Sequence, residues 1–212
     1  MENKSILIFG AGLNQITLIK AAEELGLTSI VLDPFDDAPG KNFADYFYKV
    51  DGNDYETTKK IAVEHKVSGI VTSQMEKPMR LMAMLAQELV LIFHTPEITE
   101  KSLDKWLMKQ AFIENNVPCA KGKLYELNEE IEKEYISDLS FPLIIKPKDA
   151  TSSQGVYKID SFNELNMCRK IAESFSKTGE IIIEEFLDGR EFSVEAMTYK
   201  KNTKLFNLPK NL

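Results

Sequence analysis

The sequence has little of what several large classes of protein require. Its 212 residues contain two cysteines, Cys119 and Cys168, without C-x-x-C spacing, so neither a disulfide framework nor a thiolate zinc site is indicated. The two histidines, His65 and His94, stand far apart and lack a metal-ligand pattern. No apolar run approaches the roughly 20 residues that a membrane-spanning helix needs. The sequence therefore predicts neither a metal centre at these residues nor a transmembrane protein.

A concentration of positive charge is also missing. The 26 Lys and Arg residues are outnumbered by 33 Asp and Glu residues, which gives a formal net charge of −7 at pH 7. Nucleic acids and anionic membranes are bound through clusters of Lys and Arg, so both are excluded as main partners. No apolar stretch of the secretory type follows Met1, and we expect the protein to act in the cytoplasm.

What the sequence does contain is a globular core. Apolar residues make up 43% of the chain, which is enough for one or two domains. In the first part of the chain, short runs rich in β-branched residues alternate with segments of helical periodicity. Strands are predicted at 5–9, 29–32, 46–50, 69–72 and 90–93, with helices ending at Gly26 and lying at about 54–65 and 78–89. Such alternation implies a parallel sheet covered on both faces.

The turn after the first strand contains Gly10 and Gly12. Asp33 follows about 20 residues later, as in the G-x-G-x-x-G fingerprint of dinucleotide-binding domains. Gln15 occupies the position of the third glycine, so the close helix–strand packing of that fingerprint is not expected. Two interpretations stay open: an oxidoreductase that binds nicotinamide or flavin through Gly10, Gly12 and Asp33, or a strand-to-helix turn that only needs glycine.

Lys146 is the centre of the second part of the chain. A wholly apolar, β-branched run at 141–145 predicts a buried strand that ends at this lysine, and an ammonium group placed there needs an anion. The loop 149–155 that follows is small and rich in hydroxyl groups, so its N–H and O–H donors suit phosphate oxygens. The chain then enters a strand at 156–159, unlike a P-loop, which leads into a helix. The alternative is an ordinary turn.

The elements after this loop continue the pattern. Ser161 and Glu164 form a capping box that begins an amphipathic helix reaching to about residue 176. An apolar strand at 181–183 runs into Glu184-Glu185-Phe186-Leu187 and an Asp188-Gly189 turn. In the strand predicted next, Glu191 and Glu195 lie on one face.

This series of motifs resembles the ATP-grasp superfamily and is similar in character to its carbamoyl-phosphate synthase-like ligases. The matching segments are Phe-Pro-Leu-Ile-Ile-Lys-Pro, Ser-Ser-Gln-Gly-Val and Ile-Ile-Ile-Glu-Glu-Phe-Leu-Asp-Gly-Arg-Glu-Phe-Ser-Val-Glu. The resemblance implies an α/β fold in which a Rossmann-like, parallel-sheet domain at 1–95 precedes an ATP-grasp small lobe of antiparallel strands and helices at 96–212. It also implies that the crevice at the strand ends of the first domain helps to bind an acceptor substrate.

The resemblance further implies a set of residues that bind ATP. Lys146 and, in the Asp104-Lys105-Trp106 segment, Lys105 would contact the phosphates. The loop residues Ser152, Ser153, Gln154 and Gly155 would cover them. The adenine edge would be read by the backbone of a hinge made of Glu184, Glu185, Phe186 and Leu187, and Glu191 would hold the ribose hydroxyls. Lys101 and Lys109, four residues to either side of Lys105, are expected to be solvated.

The remaining segments complete the expected lobe. A helix is predicted from about residue 103 to 115, with Ser102 as its cap. Beyond it we expect a strand at 121–127, a charged helix at 128–134 and a last strand at 203–208.

The parent reaction implied by the resemblance is ATP-dependent ligation of a carboxylate to an amine through an acyl phosphate. The superfamily uses Mg²⁺, but its usual ligands are not recognised in this chain, so we name no metal ligand and no catalytic residue. We therefore expect an ATP-binding protein whose ligase site is incomplete. A partner chain or a second copy of this chain would supply the missing part of the site. The alternatives are a non-catalytic remnant and, less favoured, the oxidoreductase. The acceptor substrate is not indicated.

Overall fold

The chain divides into two compact units, Met1–Asn116 and Val117–Leu212, and the computed structural model describes residues 4–207. The strands of the first unit are β1 (Ser5–Phe9), β2 (Thr28–Asp33), β3 (Tyr46–Lys49) and β4 (Val67–Thr72). Its helices are α1 (Leu13–Glu24), α2 (Tyr55–Glu64), α3 (Met79–Glu88), α4 (Pro96–Leu103) and α5 (Lys105–Glu114), with a 3-10 helix at Pro39–Phe43.

The four strands of the first unit form one parallel sheet in the order β3-β2-β1-β4. Successive residues of a strand point to opposite faces, and both faces of β1 are buried. Leu7 and Phe9 pack with Leu81 and Leu85 of α3, whereas Ile8 packs with residues of α1 on the other face. The predicted parallel sheet with helices on both faces is confirmed.

One predicted strand is absent. Residues 90–93 form an irregular connection in which Val90 has a φ of +55°. Leu91 and Phe93 are partly buried against the core of the first unit, so their apolar character reflects packing of a connection and not a place in the sheet.

The helix predicted at about 103–115 is present as α5, which begins after Asp104, and a further helix that was not predicted, α4, precedes it. Asp104 adopts extended backbone angles, and its carboxylate accepts hydrogen bonds from the N–H groups of Trp106 at 2.8 Å and Leu107 at 3.0 Å. Ser102, the expected cap, donates its hydroxyl to the carbonyl of Ile98 at 2.9 Å. Asp104 therefore begins α5, because a carboxylate can satisfy two N–H groups of the first turn.

Along the chain, the division between the two compact units falls between Asn116 and Val117, whereas the expected domain boundary lies near residue 95. The difference arises because α4 packs on α3, where the Arg80 guanidinium on α3 pairs with Glu100 on α4 at 2.6 Å. Compactness places α4 and α5 with the first unit. The boundary at residue 95 is a statement about family domains and stays a prediction.

The second unit contains β5 (Gly122–Tyr125), β6 (Leu143–Pro147), β7 (Tyr157–Ile159), α6 (Phe162–Phe175), β8 (Ile181–Glu185), β9 (Glu195–Tyr199) and β10 (Asn202–Asn207). Four strands form an antiparallel sheet in the order β5-β8-β6-β7, and β9 and β10 form a separate two-stranded sheet. The expected lobe of antiparallel strands with a helix is confirmed.

One face of the four-stranded sheet is covered by α6. The buried face is formed by Leu143 and Ile145 on β6 and by Ile181 and Ile183 on β8, all fully buried. On α6 the contacts come from Leu165, Cys168 and Ala172. Because side chains alternate along a strand, the neighbouring residues of β6 and β8 lie on the opposite face.

Two further predictions about the second unit are wrong. Residues 128–134 do not form a helix; the described structure there is a turn followed by a 3-10 helix at Lys133–Ile136. Ile131 and Ile136 are buried in the core, and repulsion between Glu130 and Glu134, four residues apart, disfavours a regular helix. The strand predicted from residue 191 begins only at Glu195.

The predicted last strand is present as β10, and its expected end at Leu208 lies outside the described residues. The turn between β9 and β10 places both Lys200 and Lys201 in the left-handed region, with φ of +48° and +67°. This is the backbone geometry of a two-residue hairpin turn.

Candidate functional site

Lys146 on β6 and Glu184 on β8 form an ion pair on the face of the sheet opposite α6. The register pairs Ile144 with Glu184 and Lys146 with Ile182, so the two charged residues are diagonal neighbours. The Lys146 ammonium contacts the Glu184 carboxylate, and their side chains are only 22% and 13% exposed. The anion that a lysine at this place requires is therefore supplied by the protein itself.

A second ion pair lies just beyond the first. Lys148 follows the end of β6 and pairs with Glu180, which precedes β8. The backbone N–H of Lys148 also donates to the carbonyl of Glu180 at 3.3 Å. The segment that carries the lysines is thus held against the connection between α6 and β8.

The predicted phosphate-covering loop is anchored at its entry and exit. Asp149 accepts a hydrogen bond from the Ser176 hydroxyl at 2.8 Å and from the Lys177 N–H at 3.1 Å. Gly155 is buried at a φ of +72°, and a Cβ there would lie 2.9 Å from Pro147 Cγ and 3.0 Å from Phe175 Cβ. Only glycine satisfies both the backbone angle and the close approach.

Between these anchors the loop is open to solvent. Thr151, Ser152, Ser153 and Gln154 are all exposed, and the two serines have φ of +55°. Left-handed backbone angles are uncommon for residues other than glycine. The loop therefore presents its hydroxyl groups at the surface, whereas the Gln154 N–H donates to the Thr151 carbonyl at 3.2 Å within the loop.

The first half of the expected hinge, Glu184 and Glu185, ends β8. The Glu185 N–H donates to the Lys121 carbonyl at 2.8 Å, and its carboxylate accepts from the Ser140 N–H at 3.0 Å. Gly122, opposite Glu184 in the register, leaves no room for a side chain, since a Cβ there would lie 2.6 Å from Glu184 Cβ. Both glutamate side chains are thus occupied within the protein.

The second half of the hinge leaves the sheet. The Phe186 N–H donates to the Pro142 carbonyl at 3.0 Å, and the Lys158 ammonium lies 4.4 Å from the centre of the Phe186 ring. Leu187 is 68% exposed. The segment is therefore held at Phe186 and becomes accessible at Leu187.

Glu191 is not on a strand. It lies in an exposed, irregular segment that precedes β9, so the expected alternation with Glu195 is not realised as a sheet face. The described structure brings Lys146, the loop and the hinge together on neighbouring elements of one sheet, and it leaves Glu191 on a connection outside that sheet.

Lys105 belongs to the first unit, where it is the first residue of α5 and is half-buried. Lys101 pairs with Glu97 at 2.9 Å. Lys109, expected to be solvated, is only 6% exposed, so that expectation is wrong. Residues four apart share a helix face. The four-residue spacing of Lys105 and Lys109 could therefore have indicated from the sequence that the two lysines lie on the same face of α5.

The glycine turn of the first unit does not offer the acid of a dinucleotide site. Asp33 is 7% exposed, and its two carboxylate oxygens accept hydrogen bonds from the N–H groups of Ala11 at 2.7 Å and Phe35 at 2.9 Å. The Gln15 side chain is buried and donates to the Ser73 carbonyl at 2.6 Å. Since Asp33 already holds the turn together, the structure argues against the oxidoreductase interpretation.

A small cavity lies at the carboxyl ends of the four parallel strands. Its lining comes from β1, β2 and the segments after β3 and β4: Phe9, Gly10, Leu32, Pro34, Val50, Gly52, Met75, Lys77 and Pro78. Open parallel sheets bind ligands at this edge. The cavity has the position expected for acceptor binding, which stays a prediction.

Three further observations concern residues 4–207. No group of three His, Cys, Asp or Glu side chains in this range could hold a metal ion. None of the helices there is both long and apolar enough to cross a membrane. Cys168 is buried on α6, and burial raises the pKa of its thiol, so it acts as a small apolar residue of the core.

Residues 112–208 match the model of the family described as D-ala D-ala ligase C-terminus. A formate-dependent phosphoribosylglycinamide formyltransferase from Prochlorococcus marinus (strain AS9601) is 25% identical over 212 residues, which cover 98% of this chain and 54% of that enzyme. The chain thus spans about half the length of the curated relatives it matches.

Solved structures share this fold. The ADP complex of an N5-carboxyaminoimidazole ribonucleotide synthetase superposes with a TM-score of 0.82 at 22% identity, covering 97% of this chain and 53% of that one. A phosphoribosylglycinamide synthetase from Anaerococcus prevotii gives a TM-score of 0.72 at 28% identity, covering 95% and 50%. The family matched over residues 112–208, the shared fold and the Lys146-to-Glu191 series agree, and together they make the chain similar to ligases of the ATP-grasp superfamily.

Proposed function

We propose that this chain is the ATP-binding portion of an ATP-grasp ligase that joins a carboxylate to an amine. The observation that carries the proposal is the arrangement around Lys146. A partly buried ammonium group lies on the face of the sheet opposite α6, beside an exposed loop whose two ends are anchored. The likeness to ATP-grasp ligases supports the proposal.

In this proposal Lys146 binds the phosphates. Its ammonium group now pairs with Glu184, and a polyphosphate offers more negative charge and more acceptor oxygens than one carboxylate. Charge-assisted hydrogen bonds of this kind are about twice as strong as neutral ones. ATP therefore takes over part of the interaction that Glu184 makes in the free protein, and Ser152, Ser153, Gln154 and Gly155 close over the phosphates.

The base and the ribose are assigned to the segment after β8. Because the Phe186 N–H is bonded to Pro142, the donor proposed for the adenine edge is the N–H of Leu187, with the carbonyl of Glu185 as acceptor. Glu191 accepts hydrogen bonds from the ribose hydroxyls, a role that requires its exposed segment to become ordered around the nucleotide. Lys105 is proposed as a second phosphate ligand.

The complete reaction is proposed only for a complete ligase site. ATP would transfer its γ-phosphoryl group to a carboxylate, and the amine would then displace phosphate from the acyl phosphate. Residues 4–207 offer no cluster of ligands that fits Mg²⁺, so no step proposed here uses this ion. The crevice at the strand ends of the first unit would help to bind the acceptor, and the cytoplasm is the proposed site of action.

The β9–β10 hairpin supports the proposal that further polypeptide completes the site. Met197, Tyr199, Leu205 and Phe206 are each more than half exposed, and these two strands pair only with each other among the described strands. A two-stranded hairpin is marginally stable by itself. Additional residues of a longer chain, a partner chain or a second copy would bury these side chains.

Calorimetric titration with ATP tests the proposal. We expect ATP to bind in the micromolar range, Lys146→Ala to weaken binding by at least about tenfold, and Lys170→Ala, an exposed lysine of α6, to leave it unchanged. NAD should not bind. Absence of ATP binding with and without Mg²⁺ would contradict the proposal and favour a non-catalytic remnant.

A further inference from the structure

The residues that flank the loop at 150–154 contact the carboxyl end of α6. At its entry, each Asp149 carboxylate oxygen lies 3.1 Å from the Lys177 N–H, and one of them also accepts from the Ser176 hydroxyl at 2.8 Å. At its exit, Gly155 lies so close to Phe175 that a Cβ would approach the Phe175 Cβ to 3.0 Å. Three consecutive residues, 175–177, therefore hold both ends of the loop.

The two anchors differ in kind. The exit is fixed by packing and by the left-handed backbone of Gly155. The entry is fixed by hydrogen bonds to one carboxylate, and bonds to an ionised acceptor are stronger than neutral ones. Since the exposed residues between the anchors are few, the position of their donors depends on where Asp149 is held.

We infer that Asp149 is a positioning residue for the phosphate-covering loop. Its carboxylate is engaged by Ser176 and Lys177, so it acts through the loop and does not contact the nucleotide. The inference rests on the proposed function. It adds that α6, which packs on the opposite face of the sheet from Lys146, sets the geometry of phosphate binding through its last residue and the two residues that follow it.

The test compares ATP with adenosine, which lacks phosphates. Asp149→Ala should weaken ATP binding by about tenfold and leave adenosine binding within about twofold of wild type. A role in general stability would weaken both ligands. Asp149→Asn keeps one acceptor oxygen in place and should restore most of the ATP affinity. Asp160→Ala removes an exposed acid of the same unit and serves as the matched control.

A second variant approaches the same contact from its other side. Ser176→Ala should weaken ATP binding in the same direction as Asp149→Ala, and the double variant should be no weaker than Asp149→Ala alone, because both changes break one contact. Limited proteolysis of the nucleotide-free protein with proteinase K, a protease of broad specificity, should show faster cleavage at 150–154 in Asp149→Ala than in Asp160→Ala.

The outcomes separate this inference from the proposed function. If wild type binds ATP and Asp149→Ala binds it equally well, or loses ATP and adenosine affinity to the same extent, the positioning role is overturned and the proposed function stands. If wild type binds adenosine but not ATP, or neither, the proposed function is overturned and the positioning role with it.

Discussion

Lys146 and Glu184 form a half-buried ion pair across a diagonal of the antiparallel β6–β8 ladder. Both residues were expected at the nucleotide from the sequence, but their pairing with each other was not. The pair gives the ligand-free site a counterion, and it also gives ATP a competitor for the lysine.

Replacing Glu184 by Gln should therefore strengthen ATP binding while weakening the fold. The variant leaves a half-buried ammonium group without its carboxylate, which should lower the free energy of unfolding by about 1–3 kcal/mol. The freed lysine should raise the affinity for ATP several-fold. Urea unfolding and calorimetry measure the two effects.

The chain offers a matched control for this prediction. Glu173 pairs with Arg169 on α6 at 2.6 Å, and both side chains are similarly shielded, at 9% and 12% exposure. Glu173→Gln should lose stability without any gain in ATP affinity. Weaker ATP binding in Glu184→Gln would show that its carboxylate assists the nucleotide and does not compete with it.

Gly155→Ala should destabilise the protein more than Gly26→Ala. Both glycines have left-handed backbone angles, with φ of +72° and +67°, but only Gly155 is enclosed, since no atom of the described part of the chain lies within 4 Å of a Cβ placed at Gly26. Each variant loses about 1 kcal/mol to the backbone angle, and crowding against Pro147 and Phe175 should add about 1–3 kcal/mol at Gly155. Equal losses in chemical denaturation would contradict the crowding.

Tyr125→Phe should leave the free energy of unfolding unchanged or raise it by about 1 kcal/mol. The Tyr125 hydroxyl is buried and has no hydrogen-bond partner among residues 4–207, and removing an unsatisfied buried polar group relieves its desolvation cost. Tyr48→Phe is the control, because the Tyr48 hydroxyl lies 2.6 Å from His65 Nε2 and its loss should cost about 1 kcal/mol. A clear loss of stability in Tyr125→Phe would indicate a partner for the hydroxyl.

The same tyrosine predicts a pH dependence at alkaline pH. Burial raises the pKa of Tyr125 from 10.0 to about 12. The unfolded chain therefore loses this proton at a lower pH than the folded protein. The contribution of protonated Tyr125 to the free energy of unfolding is full below pH 10 and is lost as the pH rises toward 12. Between pH 9 and 11 the loss should be about 1 kcal/mol greater in wild type than in Tyr125→Phe. Parallel pH profiles in urea unfolding would refute the assignment.

Local patterns predicted much of the fold. The apolar run Ser5–Phe9 is a strand with the expected bounds, because a β-branched strand that is buried on both faces needs no information from distant residues. The helix expected to reach about residue 176 is present as Phe162–Phe175. At its start, however, the Ser161 hydroxyl donates to the Glu164 carboxylate at 2.6 Å and does not cap a backbone N–H.

The errors share a physical cause. A strand was predicted at 90–93 because these residues are apolar, and a helix was predicted at 128–134 because those residues are polar and charged. In both segments the backbone conformation follows from tertiary packing, of Leu91 and Phe93 in the first and of Ile131 in the second. At the site, the residue types were predictable, whereas the Lys146–Glu184 and Asp149–Ser176 contacts depend on strand register and on the end of α6. Local periodicity carries no information about either.

The central claim is that Lys146 serves the nucleotide and is not only half of a structural ion pair. The double variant Lys146→Met/Glu184→Gln separates the two roles, because it removes both charges and leaves neither unpaired. The account predicts a free energy of unfolding within about 1 kcal/mol of wild type and an ATP affinity lower by at least about tenfold in calorimetry. Wild-type ATP affinity in this folded variant would contradict the claim.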